Sequence, residues 1–270
     1  MKKMLSVLLA LVMVLSLCAC GKHDAVPPAE PEKVGAVTVT DMIGRQVEIV
    51  PGSYKRVVCI GAGALRLYSC IGDMSLLCGV EDIDNTTLAE RPKMFDAVAR
   101  PYVLAFGDVF NTLPSCGVGG PMAQAAESEK ILSCNPDIVI SEFEDVQKSD
   151  ALQAQLGVPV ITLKAGSRGV FDDAFAGSME LLGTIFGREE AAAALVQFVK
   201  DETAAISQLV AQVDPAQKPK VYICGLGNWG TTDHLTSAEN YVSFQVAGVD
   251  NVLSGLGMEG VGPIEEEKFV

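Results

Sequence analysis

Residues 127–142 read "ESEKILSCNPDIVISE", and the fold is built outward from them. Glu127–Cys134 has the pattern of a short helix, and it ends before "NPDIVISE" (Asn135–Glu142), whose apolar run is that of a buried strand. The same alternation extends in both directions. Downstream, "KSDALQAQLG" (Lys148–Gly157) is a helix closing on Gly157, and "VPVITLK" (Val158–Lys164) is a further strand. Upstream, "RVVCIG" (Arg56–Gly61) is a fully buried strand leading into a helix through "ALRLYSCIG" (Ala64–Gly72), and "LLCGVE" (Leu76–Glu81) is another strand. Buried strands alternating with helices imply an α/β fold with a parallel-rich sheet covered by helices on both faces. Ahead of them, "AVTVTDMIGRQVEIV" (Ala36–Val50) alternates around a turn at Asp41–Arg45, a short hairpin.

Past the last of these strands the pattern becomes helical. Phe171–Phe186 has apolar residues at helical spacing, and Arg188–Val213 continues as alanine-rich, strongly helix-forming sequence closed by Pro215 and Pro219. A strand at Val221–Cys224 then opens a second, smaller α/β lobe with a loop, a helix near Ser237–Ala247 and the terminal "GPIEEEKFV". The resulting division is 37–187 for the first lobe, 188–213 for one long interlobe helix and 214–270 for a partial second lobe.

The N-terminus carries an address. "MKKMLSVLLALVMVLSLCAC" has two lysines, an apolar run from Leu5 to Leu17, then small residues and cysteine, which is an export signal over 1–19. The run is shorter than the roughly 20 apolar residues of a spanning helix. Leu17–Cys20 resembles the bacterial lipobox; Ala19 before Cys20 suits the cut, whereas the bulky Leu17 before Cys18 does not. Cys20 is the expected lipidation site, and the polar, proline-rich residues up to 36 form a spacer. The expected location is the extracytoplasmic face of the cell membrane, held by lipid alone.

Charge and composition narrow the function. The chain has 34 acidic and 20 basic residues, net −14, and losing Lys2 and Lys3 with the signal takes it to −16. Such a surface repels nucleic-acid phosphates and anionic headgroups. With two histidines, one of them His23 in the spacer, convergent ligands for a free transition metal are not in hand. The six cysteines beyond the anchor (Cys59, Cys70, Cys78, Cys116, Cys134, Cys224) contain no C-x-x-C and read as buried thiols ahead of a disulfide framework. An exported α/β enzyme is the rival class, but no G-x-S-x-G elbow is present, and Glu142 and Glu144, two apart at an expected strand end, read as solvated carboxylates. "GLGNWG" (Gly225–Gly230) matches the dinucleotide fingerprint in letters only. A polar loop, "TTDHLTS", follows where the fingerprint needs a helix, and "GAGALR" (Gly61–Arg66) has Arg66 in place of its third glycine.

"GRQVEI" before "KRVVCIG", and "EKILSCNPDIVI", where a Glu-x-Ile helix runs into Pro-Asp and a strand, resemble the iron-complex and vitamin B12 class of substrate-binding lipoproteins of ABC importers. The resemblance covers roughly residues 37–270. It implies two α/β lobes joined by one rigid helix, and a ligand in the cleft between them. That ligand would be a metal chelate (ferric siderophore, haem or cobalamin-type), with no cofactor and no covalent chemistry. An oxyanion such as molybdate is the alternative cargo. Ligands of open parallel sheets sit outside the carboxyl ends of the strands. The expected cleft residues are therefore Gly63, Ala64 and Arg66, Tyr102 in a loop "RPYVLAFGD", Gly119 and Gly120 in "SCGVGGP", and Glu142. From the second lobe come Trp229 and His234. Arg66 near a helix start is an anion clamp or a solvated arginine. Trp229 offers a stacking face or belongs to the core, and His234 coordinates a chelated metal or caps a loop. In the family one glutamate per lobe, at a helix start, pairs with arginines of the permease dimer that works with its ATPase; Glu129 and Glu267 match that pattern. Glu267 lies near the end of the chain where the family continues with a helix and a Pro-Asp strand, so a longer gene product is expected.

Overall fold

The computed structural model describes residues 35–269 apart from 97, 121, 122, 124 and 228–231. The signal, Cys20 and most of the spacer lie outside the described residues, and so does Trp229.

Two short strands, β1 (Val37–Thr40) and β2 (Gln46–Ile49), pair antiparallel as the expected hairpin. Its turn explains why "DMIGR" is more than a loop. Asp41 Oδ1 accepts from the Arg45 backbone N–H at 2.9 Å, and Asp41 Oδ2 accepts from Arg45 Nη1 at 3.0 Å. The same guanidinium donates to Asp150 at 2.7 Å, the Val160 carbonyl at 2.9 Å and Gln153 at 3.2 Å. Both Asp41 and Arg45 are buried. Because a buried ion is tolerated only when paired and hydrogen-bonded, this network pins the hairpin to the sheet and to the helix that carries Asp150.

The main sheet has five parallel strands: β3 (Val57–Ile60), β4 (Leu77–Glu81), β5 (Ser115–Gly117), β6 (Ile138–Ser141) and β7 (Val160–Thr162), in the spatial order β5-β4-β3-β6-β7. Alternation along the strands sends side chains into two separate apolar layers. Val57, Cys59, Ile138, Ile140 and Ile161 face one layer with α1 (Ala64–Ile71), α2 (Pro101–Phe110) and α5 (Asp173–Phe186). Val58, Ile60, Val139 and Val160 face the other with α3 (Ser128–Ser133) and α4 (Val146–Leu156). A strand covered on both faces cannot alternate apolar and polar, which is why these strands read as unbroken apolar runs.

The stretch 100–108, read from sequence as a loop, is helix α2: Pro101 occupies its first turn, where a missing N–H costs nothing. Ser115–Gly117, also read as loop, is the edge strand β5.

Helix α5 ends on Gly187 in the left-handed conformation, and α6 (Glu189–Val210) begins two residues later. Glu189 and Glu190 in its first turn complement the helix dipole. A Cβ on Gly183 would lie 3.0 Å from the Ala192 Cβ, so glycine lets the two helices approach closely. The long helix is one residue shorter at its start and three at its end than the 188–213 expected, because Ala211–Val213 close as a turn.

Beyond it the elements are small. β8 (Lys220–Val221) pairs parallel with β10 (Asp250–Asn251), and β9 (Thr236–Ala238) pairs antiparallel with β11 (Val261–Pro263). Two helices complete this part, α7 (Val242–Ala247) and α8 (Glu266–Phe269). The strand expected at Val221–Cys224 thus pairs over Lys220–Val221 only, and Ser237–Ala238, expected to start a helix, lie in β9. Ser237 Oγ donates to the Ile223 carbonyl at 2.5 Å, and Asn251 Nδ2 donates to the Ala238 carbonyl at 2.9 Å. These contacts tie β9 to the chain around β8 and β10. Among the described residues, no helix is long and apolar enough to cross a membrane.

Candidate functional site

The strand order places the chain reversal between β3 and β6, where one connection runs toward β4 and the other toward β7. At such a switch point the loops leaving the carboxyl ends diverge and open a crevice. After β3 the chain turns through Gly61 and Gly63, both at positive φ (92° and 147°), before α1 starts. After β6 comes Glu142. A Cβ on Gly61 would lie 3.3 Å from the Glu142 backbone N, and one on Gly63 would collide with the Glu142 carboxylate. Glycine is required here because another segment, with its carboxylate, occupies the space a side chain needs.

A cavity of about 240 Å³ opens beside this crevice. Its polar lining is Arg66, Glu81, Asp84, Arg100 and Tyr102 over the glycine loops, and Leu65, Ile83, Phe95 and Val98 supply its apolar wall. Glu81, the last residue of β4, is buried beneath it and accepts the Gly61 N–H at 2.9 Å. Burial pushes its carboxyl up to about 7, although the N–H groups of Gly61 and Gly120 oppose the shift. Gly119, at φ 72°, leaves only 2.5 Å between an added Cβ and the Glu81 Cβ, so the β5 loop closes directly over this carboxylate.

Asp84 and Arg100 form a buried ion pair, Arg100 Nη2 also donates to the Ile83 carbonyl at 3.0 Å, and the Tyr102 hydroxyl donates to Asp84 at 2.8 Å. Burial raises the Asp84 carboxyl while Tyr102 and Arg100 hold it down. The Arg100 guanidinium also lies 5.6 Å from the centre of the Phe95 ring. Arg66 differs. It is exposed in the first turn of α1, and its side chain has no hydrogen-bond or ion-pair partner among the described residues. Glu142 is half-buried; desolvation pushes its carboxyl up to about 7, with Arg66 and the Ala165 N–H pulling the other way and Glu144 adding to the rise. Glu144 itself pairs with Lys164 at 2.9 Å.

Of the residues anticipated from sequence, Gly63, Arg66, Tyr102 and Gly120 line the cavity, Gly119 seals Glu81, and Glu142 abuts Gly63. Ala64 is fully buried and its methyl belongs to the core. His234 does not line this cavity; it is exposed, and its carbonyl accepts from the Tyr222 hydroxyl at 2.6 Å. Glu129 and Glu267 are both exposed in the first turn of their helices. Sequence reasoning missed Glu81, Asp84 and Arg100. The available signal was a carboxylate ending the apolar run "LLCGVE", since a charge at the carboxyl end of a buried strand sits where ligands do. Among the described residues, no three His, Cys, Asp or Glu side chains are grouped as metal ligands would be.

Comparisons agree with this architecture. The sequence profile described as periplasmic binding protein matches residues 112–261, more than half of the chain. No curated protein matches. Among solved structures, a periplasmic solute binding protein from Veillonella parvula superposes with a TM-score of 0.62 at 20% identity, over 87% of this chain and 65% of that one. The chain thus spans just under two thirds of that protein. The molybdate periplasmic binding protein MolA of Haemophilus influenzae gives 0.61 at 14% identity, covering 86% and 70%. The TroA-like periplasmic binding protein FepB from Veillonella parvula gives 0.59 at 20%, covering 86% and 66%. At these identities the likeness speaks for the fold.

Proposed function

The chain belongs to the periplasmic binding protein family, and from that premise we propose that it is the extracytoplasmic, substrate-binding component of an ABC importer. In this reading it captures a metal chelate of the ferric siderophore, haem or cobalamin type and hands it to the permease. The observation that carries the reading is the cavity beside the switch point, where glycine loops, Arg66 and an aromatic wall meet at the carboxyl ends of β3 and β4. Among the described residues, the lining of that cavity includes no serine, cysteine or histidine. Binding without covalent chemistry is the reading we adopt for it. Trp229, the sole tryptophan, reports on the test. The purified protein is titrated with ferric siderophores, haem, cobalamin and molybdate while its fluorescence is followed. Saturable binding of a chelate in the micromolar range or tighter is expected. Saturation by molybdate alone would replace the chelate with an oxyanion, and hydrolytic turnover of an ester or glycoside panel would put an exported enzyme in its place.

Two further parts of the proposal have separate tests. Cys20 carries the lipid: Cys20→Ser should leave unprocessed precursor while Cys18→Ser should not, and a mature N-terminus other than lipidated Cys20 overturns the assignment. Glu129 and Glu267 dock on the permease, where exposed charges set encounter rate and orientation. Reversing both charges should stop uptake with ligand affinity intact; uptake that survives refutes the docking role.

A further inference from the structure

We propose that the cavity sorts its cargo by charge, accepting neutral or cationic chelates and rejecting polyanionic ones, with Glu142 and Glu81 as the residues that set this specificity. The inference rests on the capture of a chelate at this site and concerns which chelates enter.

The charges around the cavity do not cancel. Arg100 is committed to Asp84, with Tyr102 bonded to the same carboxylate, so that pair is internally neutral. What remains is Arg66 against two carboxylates, Glu81 beneath the glycine loops and Glu142 against Gly63. Nor does the second part of the chain redress the balance. From Val221 to Glu267 the sequence has no lysine or arginine, while Asp233 sits in the loop that follows the "GLGNWG" stretch. The chain as a whole is net −14.

Backbone donors are the other means of holding an anion, and here the protein's own carboxylates have taken three of those in the strand-end loops. Glu81 accepts the N–H of Gly61 at 2.9 Å and also that of Gly120. Glu127, through Oε1, accepts the Val118 N–H at 2.6 Å. Strand-end loops rich in glycine at positive φ bind phosphate or molybdate-like anions when their N–H groups converge on open space. In this protein Glu81 fills that role from below, as a built-in anion. A bound polyanion would find Glu81 already in the nest and Glu142 at the rim, in a site whose burial strengthens repulsion. A chelate with an ammonium or amide periphery meets two carboxylates and the Phe95 side chain instead.

Both carboxylates are ionised at pH 8, since burial pushes each up only to about 7. The groups facing Glu142 are Arg66, the Ala165 N–H and Glu144. Those facing Glu81 are the Gly61 and Gly120 N–H groups, Asp84 and Asp82.

The test uses a charge series on the purified protein at pH 8. The probes are the cationic ferrioxamine B, neutral ferrichrome, trianionic ferric enterobactin and molybdate, with Kd read by fluorescence and calorimetry. The cationic or neutral chelate is expected to bind at least about 100-fold more tightly than the trianion, a difference of about 2.7 kcal/mol at 1.36 kcal/mol per decade. In Glu142→Gln the ratio of cationic to anionic affinity should fall at least about tenfold, with unfolding midpoints confirming that the variant folds. The wild-type series decides the matter even if the variant does not fold. A trianion bound as tightly as the others overturns charge selection and leaves chelate capture standing. Binding of molybdate in preference to all three overturns both, as does the absence of binding to every chelate.

Discussion

Residues 57–163 and residues 220–263 are both made of strands joined by loops and helices, yet the two regions are held together differently. In the first, five parallel strands bury side chains on both faces, and each layer is closed by helices. In the second, strands of two or three residues pair as two separate ribbons, and Val252, Leu256 and Val261 remain exposed. The cavity belongs to the first region. A loop can hold a carboxylate at a fixed place only if the strands beneath it cannot shift, and the two apolar layers provide that rigidity. Four substitutions or conditions test this contrast, from the largest effect to the smallest.

The first concerns the hairpin network. Arg45→Ala removes the cation that pairs with Asp41 and leaves that carboxylate buried with only the backbone N–H groups of residues 43, 45 and 162 to hold it. Breaking a buried ion pair from one side costs about 3–5 kcal/mol, so the urea midpoint should fall steeply. A loss under about 1 kcal/mol would mean that the hairpin is peripheral to the first region.

How much was readable in advance follows the same division. β3, β4, β6 and β7 were legible because a strand buried on both faces reads as an apolar run with at most its last residue polar, and Gly157 marked the end of α4 through its left-handed cap. The helix α2 was misread because its "PYVLAFGD" exposes Leu104 (77% of its surface) and has little apolar stripe to show. In the second region Ser237 and Ala238 belong to a strand on account of tertiary bonds to Ile223 and Asn251, which no local pattern contains. At the site, glycines and Arg66 were found from their place after strands. Glu81 was passed over because a buried carboxylate looks in sequence like any surface glutamate.

That carboxylate supplies the second prediction. Its native value of about 7 lies above the ordinary 4.5 of an unfolded glutamate. Between those two values the folded protein keeps the proton and the unfolded chain releases it. Stability is therefore fullest below about pH 4.5 and declines as pH rises to about 7, then levels off. For Glu81 the decline is roughly 3 kcal/mol, and Glu142, half-exposed, adds less in the same direction. Urea midpoints at pH 5 and pH 8 should differ accordingly, and Glu81→Gln should flatten the difference. An unchanged slope in the variant would place the titrating group elsewhere.

The third prediction moves from charge to backbone. Gly119 holds φ 72°, and its missing side chain is what lets the loop lie on Glu81. Gly119→Ala should cost about 1–3 kcal/mol from strain at that φ, and it should weaken chelate binding because the lid over Glu81 is displaced. Retained affinity with lost stability would separate the loop's structural part from its part in the cavity.

The smallest effect is expected at Leu209, near the end of the helix α6 that links the two regions, and its comparison with Val196 is the most direct measure of their difference. Val196 in the first half of this helix is buried against α5, whereas Leu209 in its last turn has 67% of its surface in solvent. Val196→Ser deletes packed methyl groups and should cost a few kcal/mol. Leu209→Ser removes little burial, and a surface change of this kind lies within about 0.5 kcal/mol. The two substitutions share the helix, and propensity weighs only against Leu209→Ser, since leucine is the better helix former while valine and serine rank together; a larger loss at Val196 therefore isolates packing. If Leu209→Ser costs as much as Val196→Ser, the last turns of α6 are covered in the native protein. Repeating the unfolding over a range of protein concentrations then identifies the cover: a midpoint that rises with concentration assigns it to a second copy of the chain, and a constant one assigns it to the chain itself.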